Sequence, residues 1–97
     1  MICHIVLFKM KEGVDNDEAK KLAEMLFALK GKTDGHMVEC ETGLDVIHAG
    51  NSYDVVLNSV FRNLEELEKY RVHPEHEKVL AHIREVCSST CKIDYPI

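Results

Sequence analysis

The sequence predicts one α+β domain in which helices cover a single face of a four-stranded antiparallel sheet, with the element order β-α-β-β-α-β. Three observations carry this. Strand-like runs fall at 2–8, 36–47, 53–61 and 91–95. Helical apolar spacing fills 15–30 and the stretch that follows Pro74. The chain has 97 residues, enough for one domain over 1–97 and too few for two.

The first run, Ile2 to Phe8, is apolar on both sides of the chain except at His4. That suits a central strand, with Cys3, Ile5 and Leu7 on one face and His4, Val6 and Phe8 on the other. Asp15 opens a helix, and Glu18 completes a capping-box pattern with it. Ala19, Leu22, Ala23, Leu26 and Leu29 form its buried stripe, and Gly31 is a natural C-terminal stop. Residues 36–47 form a looser strand, and Gly43 suggests a bulge within it. His48 to Ser52 connect to the next strand, which places Val55, Leu57, Ser59 and Phe61 on one face. Asn63 caps a short helix that carries Leu64, Leu67 and Tyr70. Pro74 starts another, with Val79, Leu80, Ile83 and Val86 inward, until Ser88-Ser89-Thr90 breaks it. Cys91, Ile93 and Tyr95 alternate with Lys92 and Asp94 in the last strand.

This order is the split βαβ, or ferredoxin-like, arrangement. The sheet face that the helices leave bare is also apolar, so a second copy packed sheet against sheet would cover it. Homodimerisation is therefore expected.

Bulk properties exclude several functions. With 45% apolar and 30% charged residues the chain is globular in composition, not disordered. A net charge of −5 and the absence of any Lys/Arg run longer than two argue against nucleic acid or an anionic membrane as partner. The opening apolar run lacks the basic flank and cleavage site of a leader, so the four cysteines read as reduced thiols of a cytoplasmic protein. No zinc spacing occurs: Leu80 stands where a second zincin histidine would be, and Cys87 and Cys91 lack a second ligand pair. No phosphate loop or dinucleotide fingerprint is present, so no cofactor or metal is expected.

The six histidines carry the chemical interest. His76 lies three, four and seven residues before Val79, Leu80 and Ile83, so it projects from an apolar helix stripe. There an imidazole is either a hydrogen-bonded core group or a general base. Tyr70 precedes it across the Pro74 break, either as a core ring or as a hydrogen-bond donor to a developing enolate. His4 shares a strand face with Val6 and Phe8, as a third polar group or an orienting one. His73 reads as an exposed or capping residue. His36, His48 and His82 read as surface or loop residues.

Four segments taken together resemble the stress-responsive A/B barrel family. They are His4-Ile5-Val6-Leu7-Phe8-Lys9, the third strand ending in Phe61 before a capped helix, Tyr70-Arg71-Val72-His73-Pro74-Glu75-His76, and Ile93-Asp94-Tyr95. The resemblance implies a dimeric α/β barrel with a cavity between sheet and helices in each protomer. One plant branch of that family, the olivetolic acid cyclase type, closes a polyketide with an acid/base pair that matches Tyr70 and His76. On this resemblance His76 and Tyr70 are the expected catalytic pair, and His4, Val6 and Phe8 the expected substrate contacts. The ligand would be a small apolar carbonyl compound, converted by cyclase- or isomerase-like proton transfer. The alternative is a non-catalytic, stress-protective or ligand-binding homodimer. A haem- or oxygen-using monooxygenase is a third reading, resting on fold analogy alone.

Overall fold

The computed structural model describes residues 1–97. The elements are β1 (Ile2–Met10), α1 (Asp17–Lys32), β2 (Met37–Leu44), β3 (Val55–Phe61), α2 (Leu64–Arg71), α3 (Pro74–Val86) and β4 (Cys87–Pro96). The expected β-α-β-β-α-β order is present, with its last helical segment split into α2 and α3. One four-stranded sheet has the order β2-β3-β1-β4, and every neighbouring pair is antiparallel.

The expected dimeric α/β barrel is corrected by this sheet. It is open: β2 and β4 lie at opposite edges and do not pair with each other. Four strands are too few to curl into a closed cylinder with room for side chains, which takes about eight.

Register explains the core. β1 pairs Phe8 with Val55, Val6 with Leu57 and His4 with Ser59, so these share the helix-covered face. Phe8, Val55, Leu57 and Phe61 there meet Leu22, Leu26 and Leu29 of α1, Leu67 and Tyr70 of α2, and Val79 and Val86 of α3 in one buried cluster. The opposite face carries three rows across the sheet: Tyr95-Cys3-Val60, Ile93-Ile5-Asn58 and Cys91-Leu7-Val56. No helix covers it, and Ile93 is 58% and Tyr95 39% exposed.

Several boundaries differ from those expected. The Asp15/Glu18 capping box does not form. The Asp15 carboxylate accepts from the Asp17 amide at 2.8 Å, Glu18 turns toward α3, and the helix begins later. α1 runs through Gly31 and ends where the Thr33 hydroxyl donates to the Leu29 carbonyl at 2.7 Å. The left-handed Asp34 and Gly35 then reverse the chain. The β2 irregularity lies between Met37 and Glu39, not at Gly43. Ser88, Ser89 and Thr90 do not break the chain: α3 passes directly into β4, where Ser89 and Thr90 pair with Lys9 and Phe8 of β1 and Ser88 is the extra residue at a register shift. No helix is long and apolar enough to cross a membrane.

Candidate functional site

The split between α2 and α3 places the site. Asn63 caps α2, its side chain accepting from the Glu66 amide at 2.9 Å. α2 then delivers Tyr70 onto the sheet. Pro74 cannot continue that helix, so the chain turns at Val72-His73 and α3 starts in a new direction, with His76 in its first turn. The two rings meet across the corner, their centroids 4.6 Å apart and their planes tilted by 51°. Tyr70 also packs on Phe61 at 5.0 Å and lies 6.4 Å from the His4 ring.

These residues line a cavity of about 330 Å³ between β1, β4 and α3. His4, Val6, Phe8, Tyr70 and His76, the five residues singled out from the sequence, all border it. Val6 and Phe8 contribute apolar wall, together with Leu26, Leu57, Leu80 and Ile83. Arg71, Val72, Glu77, Thr90 and Lys92 complete the lining. The volume suits a small organic molecule.

Each polar group has a definite state. A backbone carbonyl only accepts, so His76 donates its Nδ1 proton to Arg71 at 2.9 Å and keeps the Nε2 lone pair. Burial pushes the His76 pKa down, outweighing the opposite pull of the Arg71 carbonyl and of Glu77. The Tyr70 hydroxyl is buried with no hydrogen-bond partner. Burial, with a smaller push from the neighbouring Cys40, raises its pKa well above the usual phenol range. It therefore stays a protonated donor near neutral pH. His4 is buried and donates Nδ1–H to the Asp94 carboxylate. Burial pushes the Asp94 carboxyl up, but hydrogen bonds from Lys92, at 2.5 Å, and from His4 together hold it below the usual range.

In the sequence Asp94 has no site role; it stands there as the polar half of an alternating strand and as part of the closing Ile93-Asp94-Tyr95 segment. It lies 90 positions from His4, yet register makes the two direct neighbours. A signal existed: in the expected topology β4 flanks β1, and Asp94 is the one acid in the last strand run.

The other histidines are placed differently from one another. His73 caps α3, as one reading expected, accepting from the Glu75 amide at 3.1 Å. His48 is in the β2–β3 loop with its side chain 72% exposed. His36 is not a bare surface residue; it joins Glu66 of α2 in a partly buried pair. His82 is also largely covered. Its Nε2 lies 3.2 Å from the Glu18 carboxylate but is too poorly directed for a hydrogen bond. No group of three or more His, Cys, Asp or Glu side chains converges to hold a metal ion.

A larger groove of about 680 Å³ runs along the β1–α1 and β2–β3 loops, away from the Tyr70–His76 corner. Two of its charged groups are already occupied. Lys9 donates to the Ser52 carbonyl at 2.9 Å, and the Asp54 carboxylate accepts from the Met10 amide at 2.7 Å.

Residues 2–97 match the sequence model of the stress responsive A/B barrel domain. An uncharacterized protein of Streptomyces coelicolor is 36% identical over 88 residues, covering 88% of this chain and 89% of that protein. A crystal structure from Bacteroides fragilis, described as a dimeric protein of unknown function with a ferredoxin-like fold, superposes with a TM-score of 0.82 at 29% identity, covering 99% of this chain and 95% of that one. A hydroxynitrile lyase from Passiflora edulis shares the fold, with a TM-score of 0.85 at 15% identity over 99% of this chain and 92% of its own.

Proposed function

The chain belongs to the stress responsive A/B barrel domain family, and from that premise we propose that its cavity binds a small apolar carbonyl compound and moves a proton on it. The observation that carries this reading is the Tyr70 hydroxyl. A buried hydroxyl without a partner costs stability, on the order of 1–3 kcal/mol, and a chain that needed only a core ring could use Phe there. Tyr70 instead keeps a buried, unpaired donor on a ring that borders the same cavity as His76, whose Nε2 is free.

In this reading the substrate carbonyl accepts from Tyr70. His76 Nε2 takes a proton from the carbon next to it, and the C–H electrons pass into the enolate, whose oxygen the Tyr70 O–H holds. Returning the proton to the same or another atom completes an isomerisation or prepares a ring closure. Burial keeps His76 neutral near pH 7, the form a base requires. His4, fixed by Asp94, orients the substrate from the sheet side, and Val6 and Phe8 pack its apolar body. The hydroxynitrile lyase relative supports the reading only in having the same fold.

The test uses 4-phenyl-2-butanone as probe, following exchange of its α-protons in deuterated water by NMR. The protein should accelerate exchange, and His76→Ala should lower the acceleration by about 100-fold while leaving the protein folded. Probe binding without exchange would instead establish the second reading, a non-catalytic binding protein. One observation favours that second reading: Arg71 already satisfies one nitrogen of His76.

We also infer that two copies associate through the uncovered sheet face. Its three rows, apolar but for Asn58, are what a second copy would shield, and the Bacteroides fragilis relative is described as dimeric.

A further inference from the structure

Helix N-caps are normally Ser, Thr, Asp or Asn, whose oxygens accept an amide hydrogen at any ordinary pH. α3 uses a histidine. His73 Nδ1 accepts from the Glu75 amide at 3.1 Å, and its Nε2 lies 3.0 Å from the Asp34 carboxylate. A carboxylate only accepts, so the ring holds its proton on Nε2 and its lone pair on Nδ1. Both nitrogens are committed, each to a different element: one to the start of α3, the other to the turn between α1 and β2. The side chain is 16% exposed, enough for a proton to reach it.

We propose that His73 is a proton-sensitive cap that positions His76: the neutral ring closes the first turn of α3, and protonation opens it. A proton added at Nδ1 occupies the lone pair that receives the Glu75 amide, so two N–H groups then face each other. The new positive charge also stands at the positive end of the α3 dipole, which it opposes. Asp34 pulls the other way, because its carboxylate attracts the charged ring. Protonation therefore trades the cap for a stronger tie to the α1–β2 turn, and the chain between these two anchors has to shift.

The remaining charged groups around this corner have partners elsewhere or lie along the same backbone. Arg71, at the end of α2, pairs with Glu68 at 2.7 Å. Glu75, in the first turn of α3, pairs with Lys78 at 3.3 Å. Glu77 donates its amide to the His73 carbonyl at 3.1 Å. Arg62 donates to the Gly35 carbonyl at 3.3 Å, and His36 meets Glu66, both beside Asp34. His73 is thus the titrating group in direct hydrogen-bond contact with the cap.

His76 is three residues beyond His73, in the same helical turn. Its bond to Arg71 spans the corner that His73 closes. Loosening that corner moves the imidazole relative to Tyr70. The device is separate from any reaction at the cavity, and it rests on the proposed role of His76 only for its consequence there.

The full-length protein, labelled with nitrogen-15, tests this by NMR between pH 5 and 8. In the unaltered chain the Glu75 amide should lose about fivefold in exchange protection, the size of losing a typical cap, as the His73 ring protonates. The His76 ring resonances should move at the same midpoint. His73→Asn, which keeps an accepting cap but cannot titrate in this range, should hold the Glu75 protection constant through that midpoint and leave the His76 ring signals following only their own protonation. His73→Ala should leave Glu75 unprotected at every pH. A Glu75 amide that ignores protonation of the His73 ring, or that follows pH equally in His73→Asn, overturns the proposal. Loss of ketone exchange leaves it standing, because no readout here depends on substrate.

Discussion

Tyr70→Phe separates the two jobs of this side chain. The ring packs on Phe61 and His76, while the hydroxyl bonds to nothing in the protein. Thermal denaturation should find the variant as stable as the parent or slightly more so, within about 1 kcal/mol, whereas ketone exchange should fall sharply. A clear loss of stability would mean that the hydroxyl has a structural partner and would remove the main support for the cavity chemistry. At this scale the sequence revealed the pair that lies close along the chain. Tyr70 and His76 sit within one motif, and helical spacing alone turns His76 toward the apolar stripe. Asp94 carried no site role in the sequence because what makes it important is a neighbour on the other side of a strand pairing. Glu18 was misread for a related reason: a capping box is a local pattern, and the actual attraction of Glu18 lies on α3.

Among the elements, the first and last strands are joined on the cavity side by the His4–Asp94 pair as well as by their backbone ladder. The Asp94 carboxyl has a folded pKa below its ordinary value. As the pH falls, the unfolded chain therefore takes up this proton first. The stability that Asp94 contributes is full above the usual carboxylate pKa of about 4, and it is lost as the pH drops through the lower folded value. Asp94→Asn should cost about 1 kcal/mol at pH 7, a modest figure because the exposed Lys92 partner is screened by solvent. The deficit relative to the parent should shrink toward pH 3. Urea denaturation at both values measures it, and a constant deficit would show that the carboxylate charge is not what matters. Element types were legible because apolar periodicity is strong in α1, β1 and β3. Element ends were not. Ser88-Ser89-Thr90 has the composition of a turn, but an edge strand with a solvent-facing side tolerates the same residues.

For the whole molecule, the topology followed from the order of the periodicities, and the bare apolar face followed from the two-sided β1. The barrel did not follow, because closure depends on edges that no local pattern describes. Association through that face gives a direct expectation. Ile93 lies in its middle row and is 58% exposed. Ile93→Asp should leave the fold intact and yield particles of 11.1 kDa in light scattering, against twice that mass for the parent. An unchanged particle mass would place the contact elsewhere.

No loop separates Val86 of α3 from Cys87 of β4, and the one extra residue near the joint is Ser88, where the register with β1 shifts. Beyond that bulge strand side chains alternate strictly, so one residue inserted between Ser89 and Thr90 would turn the rest of β4 inside out. Asp94 and Lys92 would swing away from His4 into the greasy outer face, and Ile93 and Tyr95 would be thrust among the helices. Length in this part of β4 is therefore under tighter constraint than composition.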